Sequence, residues 1–297
     1  VLVRKSSDSR PLENLQVEKF YGDVRDADSI RKAIQGVNLV VHSAAKVEIG
    51  WTQLDEFRAI NVGGTRHVAQ AARENGVRMV HVSSVDALGI RTQENPADEE
   101  CPPDDRNVLT PYVITKREAE QVLQEEVAKG LNAVIVNPAL MLGPWDWRPS
   151  SGRALLHVAK GRAWLAPPEG NNIVDVRDVA WGILAAAERG RIGCCYILGG
   201  ENLTYFEAFT LFAEITGARK PLGITPHWVL GGIGRMGDLW GKVTHKEPEI
   251  NSAAIAFAYV PHYFSSERAR KELGYSPRPV REAATSAWKW FKQHGYA

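Results

Sequence analysis

The feature that most constrains this chain is an alternation. Short apolar runs ending in charged or turn residues are separated by stretches of helical periodicity. Val1–Arg4, Val17–Tyr21, VNLVVH at Val37–His42, VRMVHVS at Val77–Ser83 and LNAVIVN at Leu131–Asn137 read as strands. Asp26–Gln35, with Ile30 and Ile34 four apart, Leu54–Glu74 and Pro111–Lys129 read as helices. Apolar strands without polar alternation need cover on both faces, and helices between successive strands supply it. The pattern predicts an α/β fold, a doubly wound parallel sheet with helices on both faces. Such sheets collect ligands at the carboxyl ends of their strands, near the point where strand order reverses.

After Met141 the pattern loosens. Gly143–Pro168, rich in Pro, Gly and Trp, reads as irregular; Asn172–Cys195 returns to strand, helix and strand; from Thr204 the chain reads as mostly helical. The expected division is a cofactor-binding sheet domain over 1–145, rejoined by 172–200, and a smaller substrate lid over 146–171 and 201–297. A net charge of +1 gives no broad electrostatic case for nucleic acid or an anionic membrane. No stretch approaches the roughly 20 apolar residues of a spanning helix. The first residues lack a signal-peptide layout, so a cytoplasmic protein with a small-molecule partner is expected. Cys101, Cys194 and Cys195 fit neither a disulfide framework nor a zinc spacing, and read as small core residues.

Chemistry concentrates at two places. Tyr112-x-x-x-Lys116 opens a helix, with Thr110 as N-cap and Pro111 in the first turn. Spacing of four puts the two side chains on one helical face. A free phenol titrates near pKa 10, and an ammonium one turn away favours the phenolate. The pair can then donate or accept the proton that accompanies hydride transfer. Ser84 closes the VRMVHVS strand and projects from its carboxyl end, where a hydroxyl can hold a substrate oxygen beside the phenol. As a local alternative, Ser84 is a turn residue bonded to nearby backbone.

These residues lie in HVSSVDALG and PYVITK, and other segments fall in matching order: GDVRD at Gly22–Asp26, VVHSAA at Val40–Ala45, NVGGT at Asn61–Thr65, VNPALMLGP at Val136–Pro144, and SSERARKELGY…WKWFKQHGY from Ser265 to Tyr296. The set resembles the extended short-chain dehydrogenase/reductases of the NAD-dependent epimerase/dehydratase type. The likeness is greatest to the branch of dihydroflavonol-4-reductase-like enzymes and hopanoid-associated sugar epimerases. The resemblance implies a Rossmann-like domain and a catalytic trio of Ser84, Tyr112 and Lys116. Tyr112 would be the acid/base. Lys116 would bind the nicotinamide ribose and lower the phenol pKa, and Ser84 would orient the substrate oxygen. It further implies that Asp23 and Val24 meet the adenine and that Ala44, Ala45 and Lys46 line the cofactor. Asn61 would support the site, and Pro138 would face the nicotinamide. Asp23 as a plain turn residue and Asn61 as a solvated helix residue stay open. The family often pairs through the helices at Leu54–Glu74 and Pro111–Lys129, so a homodimer is expected.

Arg4 and Lys5, at the end of what reads as the second strand, suit a 2′-phosphate, so NADP is expected over NAD. The first strand and glycine-rich turn of such a fold are not found, and the sequence reads as a fragment lacking about 35 residues, one βα unit. The string Gly232-x-Gly234-x-x-Gly237 matches a dinucleotide fingerprint but lacks its strand–helix context and is rejected. Val85 after Ser84 breaks the acidic pair of sugar dehydratases. Reduction of a ketone or aldehyde, or the reverse oxidation, is favoured. Sugar-nucleotide epimerisation is the alternative, which Asn137–Pro138 suits, and a cofactor sensor is the non-enzymatic one. Trp145, Trp147, Trp164 and Trp228 lean toward an apolar substrate, though packing explains tryptophans equally well. The sequence does not decide whether Asp86 is a substrate contact or a turn residue.

Overall fold

The structure is a computed structural model and describes residues 1–103, 108–226, 237–238 and 251–297. In chain order its elements are β1 (Leu2–Val3), β2 (Phe20–Tyr21), α1 (Ala27–Ala33), β3 (Leu39–His42), α2 (Leu54–Phe57), a π-helical turn (Arg58–Gly63), α3 (Gly64–Glu74), β4 (Arg78–Val82), α4 (Pro111–Ala128), β5 (Ala133–Pro138) and β6 (Leu140–Leu142). There follow α5 (Arg153–Ala159), β7 (Gly170–Asp175), α6 (Val176–Arg189), β8 (Cys195–Leu198), β9 (Glu201–Thr204), α7 (Tyr205–Thr216), α8 (Ser252–Ala258), α9 (Glu267–Leu273) and α10 (Val280–Gln293).

Side-chain alternation in the central strands sets the layers. Met79, Ala133 and Ile135 face a core shared with Ile30 and Ile34 of α1, Val68 and Ala72 of α3, and Leu123 of α4. Val80, Val134 and Val136 face the opposite core, with Val179 and Ala186 of α6 and Ala269 and Leu273 of α9. Consecutive strand residues point to opposite faces, and both faces here are covered, so the runs are apolar throughout. The sheet is parallel, in the order β3-β4-β5-β8. This is the expected Rossmann-like, doubly wound α/β architecture.

The sheet is interrupted where a first strand was expected. β1 and β2 pair in parallel as a separate ribbon. Between the ribbon and β3 lies a cavity of about 1030 Å³, walled by Leu2 and Val3 on one side and Leu39, Val40 and Val41 on the other.

A second core is built on β6-β7-β9, in which β7 runs parallel to β6 and antiparallel to β9. Leu155 of α5, Phe212 of α7, and Ala284, Trp290 and Phe291 of α10 pack against Leu142 and Ile173. Of residues 172–200, β8 joins the large sheet and β7 the small one. Two readings need correction. Gly143–Pro168 is not irregular throughout, because RALLHVA forms α5 and buries Leu155, Leu156 and Val158. Leu54–Glu74 is helical but not one regular helix, since the π turn interrupts it. α7 begins on a capping box between Thr204 and Glu207, as a regular helix start should.

Candidate active site

Five of the expected site segments lie at the carboxyl ends of parallel strands. Arg4 follows β1, Gly22–Val24 follow β2, Ala44–Lys46 follow β3 and Ser84 follows β4, while Pro138 ends β5. Two close approaches fix these loops. A Cβ on Gly22 would sit 2.8 Å from Leu2 Cδ1 and 2.9 Å from Ser29 Cβ, and one on Gly64 would sit 2.9 Å from Val24 Cγ2. A side chain at either position would push the Gly22–Val24 loop off α1 or α3.

Arg4, Asp23, Val24, Ala44, Ala45 and Lys46 all line the cavity beside β3. Lys5 is exposed and is not among its wall residues. The Asp23 carboxylate accepts from Arg25 Nη2 at 2.7 Å and Nε at 3.0 Å, and the guanidinium holds its pKa down at about 2. Asp23 also accepts from the Arg25 backbone N–H at 2.9 Å, so it makes the local turn contact and faces the cavity as well. The Val24 carbonyl oxygen is 2.9 Å from His67 Nδ1. The Lys46 ammonium turns to Glu56 at 2.6 Å.

Asn61 is buried, not solvated. Its Oδ1 accepts from Lys46 N at 2.7 Å, and its Nδ2 donates to Lys46 O at 3.1 Å and Thr115 Oγ1 at 3.0 Å. One side chain therefore ties the loop after β3 to α4. The π turn carries it there. π-Bulges place one residue out of helical register and recur at functional sites.

α4 starts as its sequence dictates: Pro111 occupies the first turn and Thr110 Oγ1 accepts from Val113 N at 3.3 Å. Tyr112 and Lys116 are both buried, with Lys116 Nζ 5.9 Å from the Tyr112 ring centroid and donating to Val82 O at 3.0 Å. Ser84, just beyond β4, lies close enough to the phenol to favour its ionised form. One expectation is reversed. The phenol is pushed above its ordinary range, first by burial and then by the Asp86 carboxylate, with Ser84 opposing. Lys116 pays the same burial cost and falls to about 8, with Glu120 and Asp86 opposing the fall. Burial outweighs the proximity of the ammonium because both groups sit in a low-dielectric interior.

Ser84 makes the local turn contacts expected of its alternative reading. Its Oγ accepts from Asp86 N at 3.2 Å and donates to Asp86 Oδ2 at 2.9 Å. Asn137 braces it from β5, its Nδ2 donating to Ser84 O at 2.9 Å and to Glu120 Oε1 at 2.7 Å. Pro138 is fully within β5 and is not a wall residue of the cavity.

Sequence reasoning missed Glu120, one turn beyond Lys116 on α4, which follows from helical spacing alone. It also missed His262, which no local pattern marks and which reaches Asp86 from a distant loop. Trp145 and Trp164 are exposed, and Trp147 packs edge-on to Trp290 in the second core, as the packing alternative has it for Trp147. Trp228, Gly232 and Gly234 lie outside the described residues. Cys101 is buried, Cys194 and Cys195 are half-buried, and all three are free thiols. Among the described residues no helix is long and apolar enough to cross a membrane, and no cluster of metal-ligating side chains occurs.

A parallel α/β sheet with a phenol, an ammonium and a hydroxyl at its carboxyl edge, beside a cleft, defines the nicotinamide-dependent oxidoreductase and epimerase class. The family model of the NAD dependent epimerase/dehydratase family matches residues 1–199, and the chain belongs to that family. It is 36% identical to sterol demethylase protein B of Methylococcus capsulatus over 99% of this chain and 90% of that protein. It is 30% identical to a putative dihydroflavonol 4-reductase of Synechocystis over 99% of this chain and 88% of that protein. Among solved structures, gox2253 superposes with a TM-score of 0.85 at 38% identity, covering 99% of this chain and 90% of that one. A nucleoside-diphosphate-sugar epimerase from Pseudomonas aeruginosa gives 0.80 at 25% identity, covering 99% and 89%. The protein is an enzyme of this oxidoreductase and epimerase family, whose members use NAD(P).

Proposed function

We propose that this protein transfers hydride between NADP(H) and a ketone or aldehyde, or the corresponding secondary alcohol. The observation that carries the reading is the buried Tyr112 and Lys116, one turn apart on α4 with Lys116 Nζ bonded to the end of β4, from which Ser84 follows. Residues around the cavity beside β3 would hold one end of a dinucleotide. Asp23 and Val24 would hold the adenine, Arg4 the 2′-phosphate, and Ala44–Lys46 the middle of the cofactor. Lys116 would hold the nicotinamide ribose, with Pro138 bordering the ring. Bound there, the nicotinamide supplies or accepts the hydride.

The protein's own groups handle the proton. Tyr112 donates it to the carbonyl oxygen in reduction and takes it from the alcohol in oxidation. Its raised pKa keeps the phenol protonated, the form that reduction requires. Ser84 holds the substrate oxygen against the phenol. Asn61 keeps α4 and the loop after β3 in register. We further infer a cytoplasmic homodimer joined through α2, α3 and α4.

Epimerisation of a sugar nucleotide is the second reading, favoured by the likeness to the Pseudomonas epimerase and by Asn137 before Pro138. NADPH absorbance separates the two. Stoichiometric loss of NADPH with a carbonyl substrate supports the reductase. Isomer interconversion with no net cofactor change would replace it with the epimerase.

A further inference from the structure

Among the described residues, the two most exposed large apolar side chains are Leu222, 84% exposed, and Trp164, 71% exposed. They come from distant segments, one following α5 and one following α7, that the fold joins edge to edge. Leu222 N donates to Trp164 O at 2.8 Å, Ala166 N donates to Gly223 O at 2.9 Å, and Thr225 N donates to Ala166 O at 2.8 Å. Ala166 and Ile224 are partners in a parallel bridge. Alternate residues of an extended segment share a face, and partners across a parallel pair share it too. Trp164, Leu222 and Ile224 therefore lie on one face, and Ile224 is 56% exposed as well. Trp164 Nε1 donates to Gly161 O at 2.6 Å, which fixes the exposed ring against its own turn. A lone exposed apolar residue needs no explanation, but three on one face mark an interaction surface. None of them lines the cavity beside β3.

The charge around this face is one-sided. The net charge of +1 hides it, because the sequence has no acidic residue from Trp147 to Pro168 or from Ile215 to Gly237. Lys160 and Arg162 precede Trp164, and Arg219 and Lys220 precede Leu222. Parallel pairing brings both cationic stretches to the same end of the apolar face. All four are exposed, and among the described residues only Lys220 is ion-paired, to Glu214 at 2.8 Å. Arg281 of α10 meets the other oxygen of the same carboxylate at 2.8 Å, so Glu214 leaves no anionic charge to spare. We propose that this face docks on an anionic phospholipid surface. Trp164, Leu222 and Ile224 enter the headgroup boundary, where an indole and aliphatic side chains are favourably placed, and Lys160, Arg162 and Arg219 meet the anionic headgroups. A second copy of this chain fits less well, since it would bring the same cations and no carboxylate to neutralise them. The proposal is independent of the hydride-transfer reading.

Co-sedimentation of the full chain with vesicles tests this. One set is phosphatidylcholine alone and the other contains roughly 30% phosphatidylglycerol, both near physiological salt. The chain should sediment with the anionic vesicles and stay in solution with phosphatidylcholine, and about 1 M salt should release it. Trp164→Ser combined with Leu222→Ser should weaken binding about tenfold or more, with the thermal melt unchanged. Lys160→Gln, Arg162→Gln and Arg219→Gln should each weaken it about fivefold, and the three together about a hundredfold. Failure of the parent chain to sediment with anionic vesicles overturns the proposal, as does equal binding to the two vesicle sets. So does binding that neither the apolar pair nor the three cations alter. A parent chain of twice the single-chain mass that Trp164→Ser with Leu222→Ser converts to one chain would assign the face to a second copy and also overturn it.

Discussion

Arg4 shows how much one cation can decide. It stands on the cavity wall, and its charge helps hold down the pKa of Asp23 across the space where the adenosine end of the cofactor is proposed to lie. A guanidinium there meets a 2′-phosphate as a charge-assisted partner, and such bonds contribute about 1.5–3 kcal/mol. Arg4→Ala should therefore weaken NADPH binding by about tenfold to a hundredfold and leave NADH within about twofold. Fluorescence titration of both cofactors checks this, and equal losses for the two would contradict the assignment. Lys5, adjacent in sequence and chemically similar, does not reach the wall. A one-dimensional reading sees two cations at a strand end. Only the turn after β1, in which Arg4 N donates to Ser7 Oγ at 3.1 Å, distinguishes them.

At the scale of elements, the strands and helices of the large sheet were legible because burial on both faces leaves uninterrupted apolar runs. The start of α4 was legible because Thr110 and Pro111 satisfy a local rule. What stayed hidden was set by distant contacts. α5 was masked by the Pro, Gly and Trp around it. The π turn was invisible because its reason is Asn61 bonding Lys46 and Thr115 across three segments. Asn61→Ala leaves these buried partners unsatisfied and should cost about 2–4 kcal/mol, read from urea unfolding. A loss below about 0.5 kcal/mol would mean that the clamp is dispensable. β3 and β4 carry a second consequence. His42 and His81 face one another across the two strands with ring centroids 5.6 Å apart, and burial lowers His42 to about 4 and His81 well below its ordinary value. The unfolded chain binds these protons first as pH falls. The stability contribution is therefore complete above about pH 6.5 and lost as pH drops through about 4. For His42 alone the shift corresponds to about 3 kcal/mol. Thermal melts should show Tm falling over this window, and His42→Gln should flatten the fall. A Tm that is flat across it in the parent protein would contradict the assignment.

For the whole molecule, two cores divide the labour. The large sheet presents the proposed cofactor and proton-transfer groups along one edge, and the second core packs β6, β7 and β9 against α5, α7 and α10. The loop carrying His262 pairs with Asn171 of β7 and approaches Asp86 beyond β4, so the two cores meet at the site. That meeting was not legible in the sequence, because residues 86 and 262 share no local pattern. α2, α3 and α4 pack on one side of the sheet, and Arg58 of the π turn reaches Glu118 of α4 at 2.7 Å. If a second copy docks on these helices, light scattering should give twice the mass of one chain, and charge reversal at exposed positions of α3 and α4 should halve it. A single-chain mass at micromolar concentration would reject the dimer.

The central claim is that Tyr112 delivers the proton accompanying hydride transfer. The most direct measurement compares NADPH consumption by the parent protein and by Tyr112→Phe across ketones and aldehydes, with NADPH affinity measured in parallel. The account predicts carbonyl-dependent consumption by the parent, a loss of about a hundredfold or more in Tyr112→Phe, and NADPH affinity within about twofold. Equal rates in the two proteins, or no carbonyl-dependent consumption by a parent that binds NADPH, would contradict it.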